Sequence, residues 1–374
     1  MEKRILYVAT SDVHIAIFHL PYLKWLKEQG FVVHLAVENR GNVVFEHIDR
    51  IFYLPFPRSP FRRKYISTYK ELKRIIETGN YSLVHCHTPL PGAVARLAAR
   101  KARKRGTKVL YTAHGFHFSK NSPLTQWLIY YTAEYLLSGF TDGIVSINKQ
   151  DYSLINGRML HKDTFYIKGI GVQTQKFLTM SEDEMTILRK ELGYSQNDFI
   201  LLYTAEYSPT KNHRFIIETL PDLKNRIPQL KVIFAGKGVL MDQMKKLAYK
   251  LKVSDIISFL GFRHDVHKFA CIADVGISAS KREGLGLGLA EEMLCSKPVV
   301  ASINKGHEEM IEHGVNGFFF KKNDKHGFSE SIVRLFENPG LRKQMGEKAF
   351  EKAQQFKIEN SLKSMISIYN TYLT

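Results

Sequence analysis

The chain has 374 residues, 44% of them hydrophobic and 24% charged, which is ordinary for a globular protein and long enough for two domains. Three widely spaced cysteines, Cys86, Cys271 and Cys295, exclude a disulfide framework, read best as buried small apolar residues, and point to a reducing compartment. The formal charge of +18 is concentrated in the first half: residues 51–108 carry 14 Lys and Arg against 2 Asp and Glu, among them Arg62, Arg63, Lys64, Lys101, Arg103, Lys104 and Arg105. Such a region attracts anionic lipid headgroups or nucleic acid, or simply forms a solvated face.

Residues 1–5 lead straight into a strand pattern, and no run of roughly 18 or more apolar residues follows. The expectation is a chain that neither spans a membrane nor is exported by a signal peptide. Residues 4–9 read as a buried parallel strand, 15–26 as a helix closed by Gly30, and 31–37 as a second strand. The alternation continues with strand 83–86, helix 93–105 ended by Gly106, strand 109–112 and an aromatic helix over 125–137, whose apolar residues are expected to pack in the core or, as the less favoured reading, to meet a membrane interface.

A second alternation runs through strand 200–204, helix 215–220, strand 231–235, helix 241–251, strands 256–259 and 275–278, strand 297–301 and three helical patterns from 325 to the end. Repeated βαβ units predict an α/β architecture of two Rossmann-like, doubly wound parallel-sheet domains facing a cleft. The expected boundaries are 1–172, a linker at 173–185, a second domain at 186–357, and a terminal helix at 358–374 packing back on the first domain.

Ligands of such sheets sit beyond the carboxyl ends of strands. The candidate loops are therefore 10–14, 87–92, 113–117, 206–211, 236–238, 261–263 and, above all, Lys281-Arg282-Glu283-Gly284-Leu285-Gly286-Leu287-Gly288-Leu289-Ala290-Glu291. The glycines let backbone approach a ligand, and a helix opening there offers N–H groups and a positive dipole end to phosphate. Two ionised carboxylates accept hydrogen bonds only, so Glu283 and Glu291 suit the hydroxyls of a sugar and a ribose.

Glu283 and Glu291, followed by Lys297-Pro298-Val299-Val300-Ala301-Ser302, Gly306-His307-Glu308-Glu309 and Gly314-Val315-Asn316-Gly317, resemble the retaining family 4 glycosyltransferases of the GT-B fold. The resemblance spans nearly the whole chain, taking in His85-Cys86-His87-Thr88-Pro89, Thr112-Ala113-His114-Gly115 and Gly169-Ile170-Gly171-Val172. The wording Ala113-His114-Gly115-Phe116-His117-Phe118 is most similar to the branch used in capsule, exopolysaccharide and lipid-linked glycan assembly.

The resemblance implies roles. Glu283 contacts the transferred sugar, Glu291 binds ribose, the backbone of Gly284, Leu285, Gly286 and Leu287 meets the diphosphate, and Lys211 in Ser208-Pro209-Thr210-Lys211-Asn212 steadies the leaving nucleotide. His114 faces the donor sugar, Phe262 and Arg263 flank the base, and Ser11, His14 and His117 fall on the acceptor side. Glu206 stands where the family often has an arginine, Ser11-Asp12 where many members have paired glycines, and Gln173 where an aspartate is common.

The implied reaction is hexosyl or N-acetylhexosaminyl transfer from a nucleotide sugar, preferably a UDP-sugar, to a polyprenyl-diphosphate-linked acceptor. The expected place is the cytoplasmic face of the plasma membrane, with an anionic membrane surface contacted through residues 51–108. No metal and no other cofactor are expected; a zinc site among His85, His87, His114 and His117 is the weaker reading. A sugar-nucleotide epimerase of the same fold is the alternative enzyme. Nucleic-acid binding has only the charge in its favour, since no zinc knuckle, RNP-like strand or recognition helix is present.

Overall fold

The computed structural model describes residues 3–56, 64–119, 122–174, 177 and 180–373, with Lys64 described by backbone alone. Arg62 and Arg63 of the basic segment thus lie outside the described residues. The chain divides into two compact units, one formed by residues 1–171 with 358–374 and the other by 172–357.

The first unit holds β1 (Arg4–Ser11), β2 (Val32–Glu38), β3 (Arg50–Tyr53), β4 (Leu83–His87), β5 (Lys108–Ala113), β6 (Gly143–Ser146) and β7 (Asp163–Tyr166) in one parallel sheet of order β3-β2-β1-β4-β5-β6-β7. The strands are apolar on both faces because helices cover both: Ile5, Leu6, Tyr7, Val8 and Ala9 are all fully buried. The order reverses between β1 and β4, where Tyr7 stands beside His85 in the register. A crevice opens at such a point beyond the strand ends, and Thr10 and Thr88 hydroxyls meet across it at 2.7 Å.

The second unit holds β8 (Phe199–Thr204), β9 (Leu230–Ala235), β10 (Ile257–Gly261), β11 (Val275–Ser278), β12 (Val299–Ser302) and β13 (Gly317–Phe320), in the order β10-β9-β8-β11-β12-β13, also parallel. Its switch point lies between β8 and β11, and the loop after β11 carries Glu283. The two doubly wound parallel sheets are those of the GT-B fold.

Two elements, at His19 and at Glu182, differ from the sequence reading. The helix expected over 15–26 is two helices, Asp12–Phe18 and Leu20–Glu28, broken at His19, because Pro21 cannot donate to the preceding turn and sits instead in the first turn of a new helix. The stretch read as a linker begins a helix at Glu182–Glu191, started by a capping box between Ser181 and Glu184. The terminal helix Ile358–Leu373 lies on the first unit, where Tyr369 bonds His85 and Tyr7, Trp25 stacks on it, and Tyr372 donates to Asp163 at 2.8 Å.

The aromatic segment is the largest departure. It runs as Leu124–Gln126, a π-helical turn Trp127–Tyr131, and Thr132–Ser138. Its inner side is fixed: Trp127 Nε1 donates to the Ser119 carbonyl at 2.9 Å, and Glu134 pairs with the fully buried Arg96 at 2.8 Å, whose guanidinium lies 4.0 Å over the Tyr111 ring. Its outer side is apolar as well. Leu124, Leu128, Ile129 and Leu136 are 74%, 63%, 64% and 59% exposed, so the expectation of core packing fails for them.

Candidate active site

In the second unit the site is built by three loops that converge beyond β8, β11 and β12. The chain leaves β11 through Ser280, whose carbonyl accepts hydrogen bonds from Ser302 Oγ at 2.6 Å and Asn304 Nδ2 at 3.0 Å. Lys281 N–H then donates to the Thr210 carbonyl at 2.9 Å, which sets the glutamate loop beside the lysine loop. Tyr203 Oη donates to the Lys211 carbonyl at 2.6 Å. The result is that Lys211 Nζ donates to Glu283 Oε1 at 2.5 Å, with both side chains mostly buried.

Burial pushes the Glu283 carboxyl up, but the Lys211 ammonium, His307 and hydrogen bonds from Lys211 and Ser280 outweigh it and hold the group below the usual carboxylate range. The carboxylate is therefore ionised. Gly306 packs directly on it, since a Cβ there would lie 2.7 Å from Glu283 Cβ.

Gly286 caps the helix Leu287–Leu294 at φ +105°, a conformation that disfavours any side chain. A helix start of this kind leaves its first-turn N–H groups without intrahelical partners. Glu291 follows one turn later, and burial pushes its carboxyl up to about 8. Its neighbour Glu292 lies wholly buried under β11 with both carboxylate oxygens unpartnered; burial and then Glu291 raise it well above the usual range.

Phe262 and Arg263 follow β10. Phe262 is half exposed and meets His264 edge-on, whereas Arg263 is held by Asp265 in a bidentate pair at 2.7 and 2.6 Å. That pairing makes Arg263 a poor substitute for the arginine that Glu206 displaces.

In the first unit, Ser11 caps the helix Asp12–Phe18 by accepting from the His14 N–H at 3.3 Å. Asp12 is fully buried and accepts from the N–H groups of Val13, Arg40, Gly41 and Val43; burial would raise it, but these four donors bring it below its ordinary value. His14 and His114 come together with three further histidines, His19, His85 and His87. The contacts are His14 Nε2 to His19 Nε2 and His87 Nδ1 to His114 Nε2, each at 3.3 Å, and His85 Nε2 to Thr112 Oγ1 at 2.8 Å. Burial lowers His14 to about 4 and His85 to about 3, and holds the other three well down, so all five rings are neutral at pH 7. His117 instead meets Tyr130 of the aromatic segment edge-on.

Among the predicted residues the structure thus joins Lys211 with Glu283 in one unit, and Ser11 and His14 with His114 in the other. It adds Asp12, Ser280, Asn304 and His307, which the sequence reading did not select. His307 donates from Nδ1 to the Ser302 carbonyl at 2.6 Å, leaving Nε2 buried without a partner beside Gly286. The Gly-His-Glu-Glu wording was its only trace in the sequence.

Comparison with known proteins gives the family of the chain. Residues 184–352 match the family described as glycosyl transferases group 1, and residues 4–148 match the glycosyl transferase 4-like family. The Bacillus subtilis (strain 168) protein named as glycosyltransferase EpsD is 42% identical over 376 residues, covering 100% of this chain and 98% of that one. The Escherichia coli UDP-Gal:alpha-D-GlcNAc-diphosphoundecaprenol alpha-1,3-galactosyltransferase is 26% identical, over 84% of this chain and 83% of its own. Among solved structures, Anabaena HepE in complex with UDP and glucose superposes with a TM-score of 0.80 at 19% identity, covering 99% of this chain and 100% of that one.

Proposed function

The chain belongs to the group 1 glycosyltransferases, with a 4-like amino-terminal half, and from that premise we propose that it transfers a hexosyl or N-acetylhexosaminyl group from a UDP-sugar to a lipid-linked glycan with retention at the anomeric carbon. The observation that carries the reading is the Lys211–Glu283 pair beside the Gly286-capped helix. An ammonium and a helix start together suit a diphosphate, and a carboxylate at their edge suits the hydroxyls of the sugar that the diphosphate carries.

In this mechanism the protein supplies position and charge. Lys211 and the first-turn N–H groups of Leu287–Leu294 take up negative charge as the nucleotide leaves. Glu283 orients the sugar, Glu291 holds the ribose, and neither acts as a nucleophile. The departing phosphate oxygen takes the acceptor proton while the acceptor attacks the same face. The neutral His114 serves the sugar by hydrogen bonding, and the transfer itself calls for no metal.

The names of two related proteins support the nucleotide and the acceptor class, one bound to UDP and the other acting on a diphosphoundecaprenol-linked sugar. Membrane attachment is supported by the exposed apolar face Leu124, Leu128, Ile129 and Leu136 together with the basic stretch 51–108 of the same unit. No helix among the described residues is long and apolar enough to cross a membrane. A thermal-shift and hydrolysis screen over UDP-, GDP- and ADP-sugars tests the donor. Stabilisation and slow hydrolysis with UDP-sugars are expected, and a flat response to all three would sink the assignment.

A further inference from the structure

The histidine group of the first unit is arranged more closely than a set of acceptor contacts requires. His14, His19 and His114 each bring one ring nitrogen within 4.8 Å of the other two, and the His14 and His19 Nε2 atoms are 3.3 Å apart. A tetrahedral zinc ion with Zn–N bonds of about 2.0–2.1 Å separates its ligand nitrogens by about 3.3–3.4 Å. One edge of that tetrahedron is therefore already present.

A fourth imidazole stands behind it. His87 Nδ1 lies 3.3 Å from His114 Nε2, the ring centroids of His87 and His19 are 4.2 Å apart, and His87 Nε2 is buried with no hydrogen-bond partner. The rings come from separate places in the fold: the helix after β1, the break at His19, the end of β4 and the loop after β5. They are brought together at the switch point of the sheet, and among the described residues no Asp, Glu, Lys or Arg takes part in the contacts between them. Neutral imidazole is the ligand form that zinc needs.

We propose that His14, His19 and His114 form a binding site for a divalent ion of the zinc type, with His87 oriented to support or complete it. Three imidazoles leave a coordination position for an oxygen ligand. The site stands on these side chains alone and not on the transferase reading. Only one corollary rests on that reading: an ion on His114 withdraws the ring from the sugar.

The test uses the full-length, untagged, metal-free protein titrated with Co2+, followed by displacement with Zn2+ and a count of metal per chain. The expected result is one ion per chain with the strong visible absorption of four-coordinate Co2+, abolished by Zn2+. Affinity should fall about tenfold or more in His19→Asn, a ligand loss at least as severe as the loss of a supporting partner. His117→Asn, a ring that faces Tyr130, should bind as the wild type does. His14→Asn carries the comparison if His19→Asn fails to fold, because His14 is only partly buried. Absence of the four-coordinate spectrum overturns the proposal, as does equal affinity in the variants. Neither result touches the donor screen, whose failure is read separately.

Discussion

On the proposed contact of Glu291 with the ribose, its raised pKa would make nucleotide binding a proton-release reaction. With a pKa of about 8 the free protein carries a proton on this carboxyl at pH 7 in about nine molecules of ten. A ribose diol offers two O–H donors, which favour the ionised carboxylate and pull its pKa toward the ordinary value. Binding of a nucleotide sugar, whose diphosphate diester does not titrate near neutrality, should then release about 0.9 proton at pH 7. Apparent affinity should improve about fifty-fold between pH 6 and pH 8, or about 2.3 kcal/mol, and level off above. Calorimetry of UDP-glucose binding in buffers of different ionisation enthalpy reads the proton directly. The sign in the free protein is opposite: the fold holds the proton up to about 8 while the unfolded chain loses it near an ordinary carboxyl value. This contribution to stability is complete at low pH and is lost as pH rises through about 8. Buffer-independent heats in the wild type, or the same proton release in Glu291→Gln, would refute the reasoning and leave Glu291 as a neutral acid against the ribose.

Removing the ammonium in Lys211→Ala should lower turnover by about 10²–10³, the scale of a lost donor at a developing charge, while Glu283→Gln should keep nucleotide binding and lose transfer; single-turnover assays separate the two. Gly286→Ala forces a side chain into φ +105° with Cβ 3.1 Å from Met310 Cε, costing about 1–2 kcal/mol, and should lower the melting temperature by roughly 2–8 °C together with donor affinity. Arg96→Ala leaves Glu134 buried without its partner and should cost about 3–5 kcal/mol in urea unfolding, most of it regained in Arg96→Met with Glu134→Leu. Leu128→Glu with Ile129→Glu should leave stability within about 0.5 kcal/mol, since both are exposed, yet abolish co-sedimentation with anionic vesicles. Equal binding by the double variant, or no preference of the wild type for anionic over neutral vesicles, would count against the membrane face.

The two parallel sheets were legible because their strands are short apolar runs punctuated by Gly30, Gly106 and Gly261, and the glutamate loop was legible because its residues are contiguous. Short edge strands such as β3 and β7 were not, since Arg50–Tyr53 and Asp163–Tyr166 are only half buried and carry no continuous apolar run. The histidine group was legible only in part: His85, His87 and His114 entered the weaker zinc reading with His117, His14 was placed on the acceptor side, and His19 was not selected. Its members come from the helix after β1, the break at His19, β4 itself and the loop after β5, which are far apart in sequence, and only the order β2-β1-β4-β5 places them at one edge.

The aromatic segment shows where periodicity itself misleads. Trp127, Tyr131 and Glu134 face inward while Leu128, Ile129 and Leu136 face out, so a helix that is apolar all round reads from sequence as core. What turns it is the Arg96–Glu134 pair, a charge contact 38 residues apart that fixes the helix by a buried ionisable residue on its inner side. An arrangement that buries a charge and exposes four large apolar side chains runs against the ordinary partition of residues. The proposed membrane contact would resolve both halves of it: the buried pair would set the orientation, and the outward side chains would find an apolar phase.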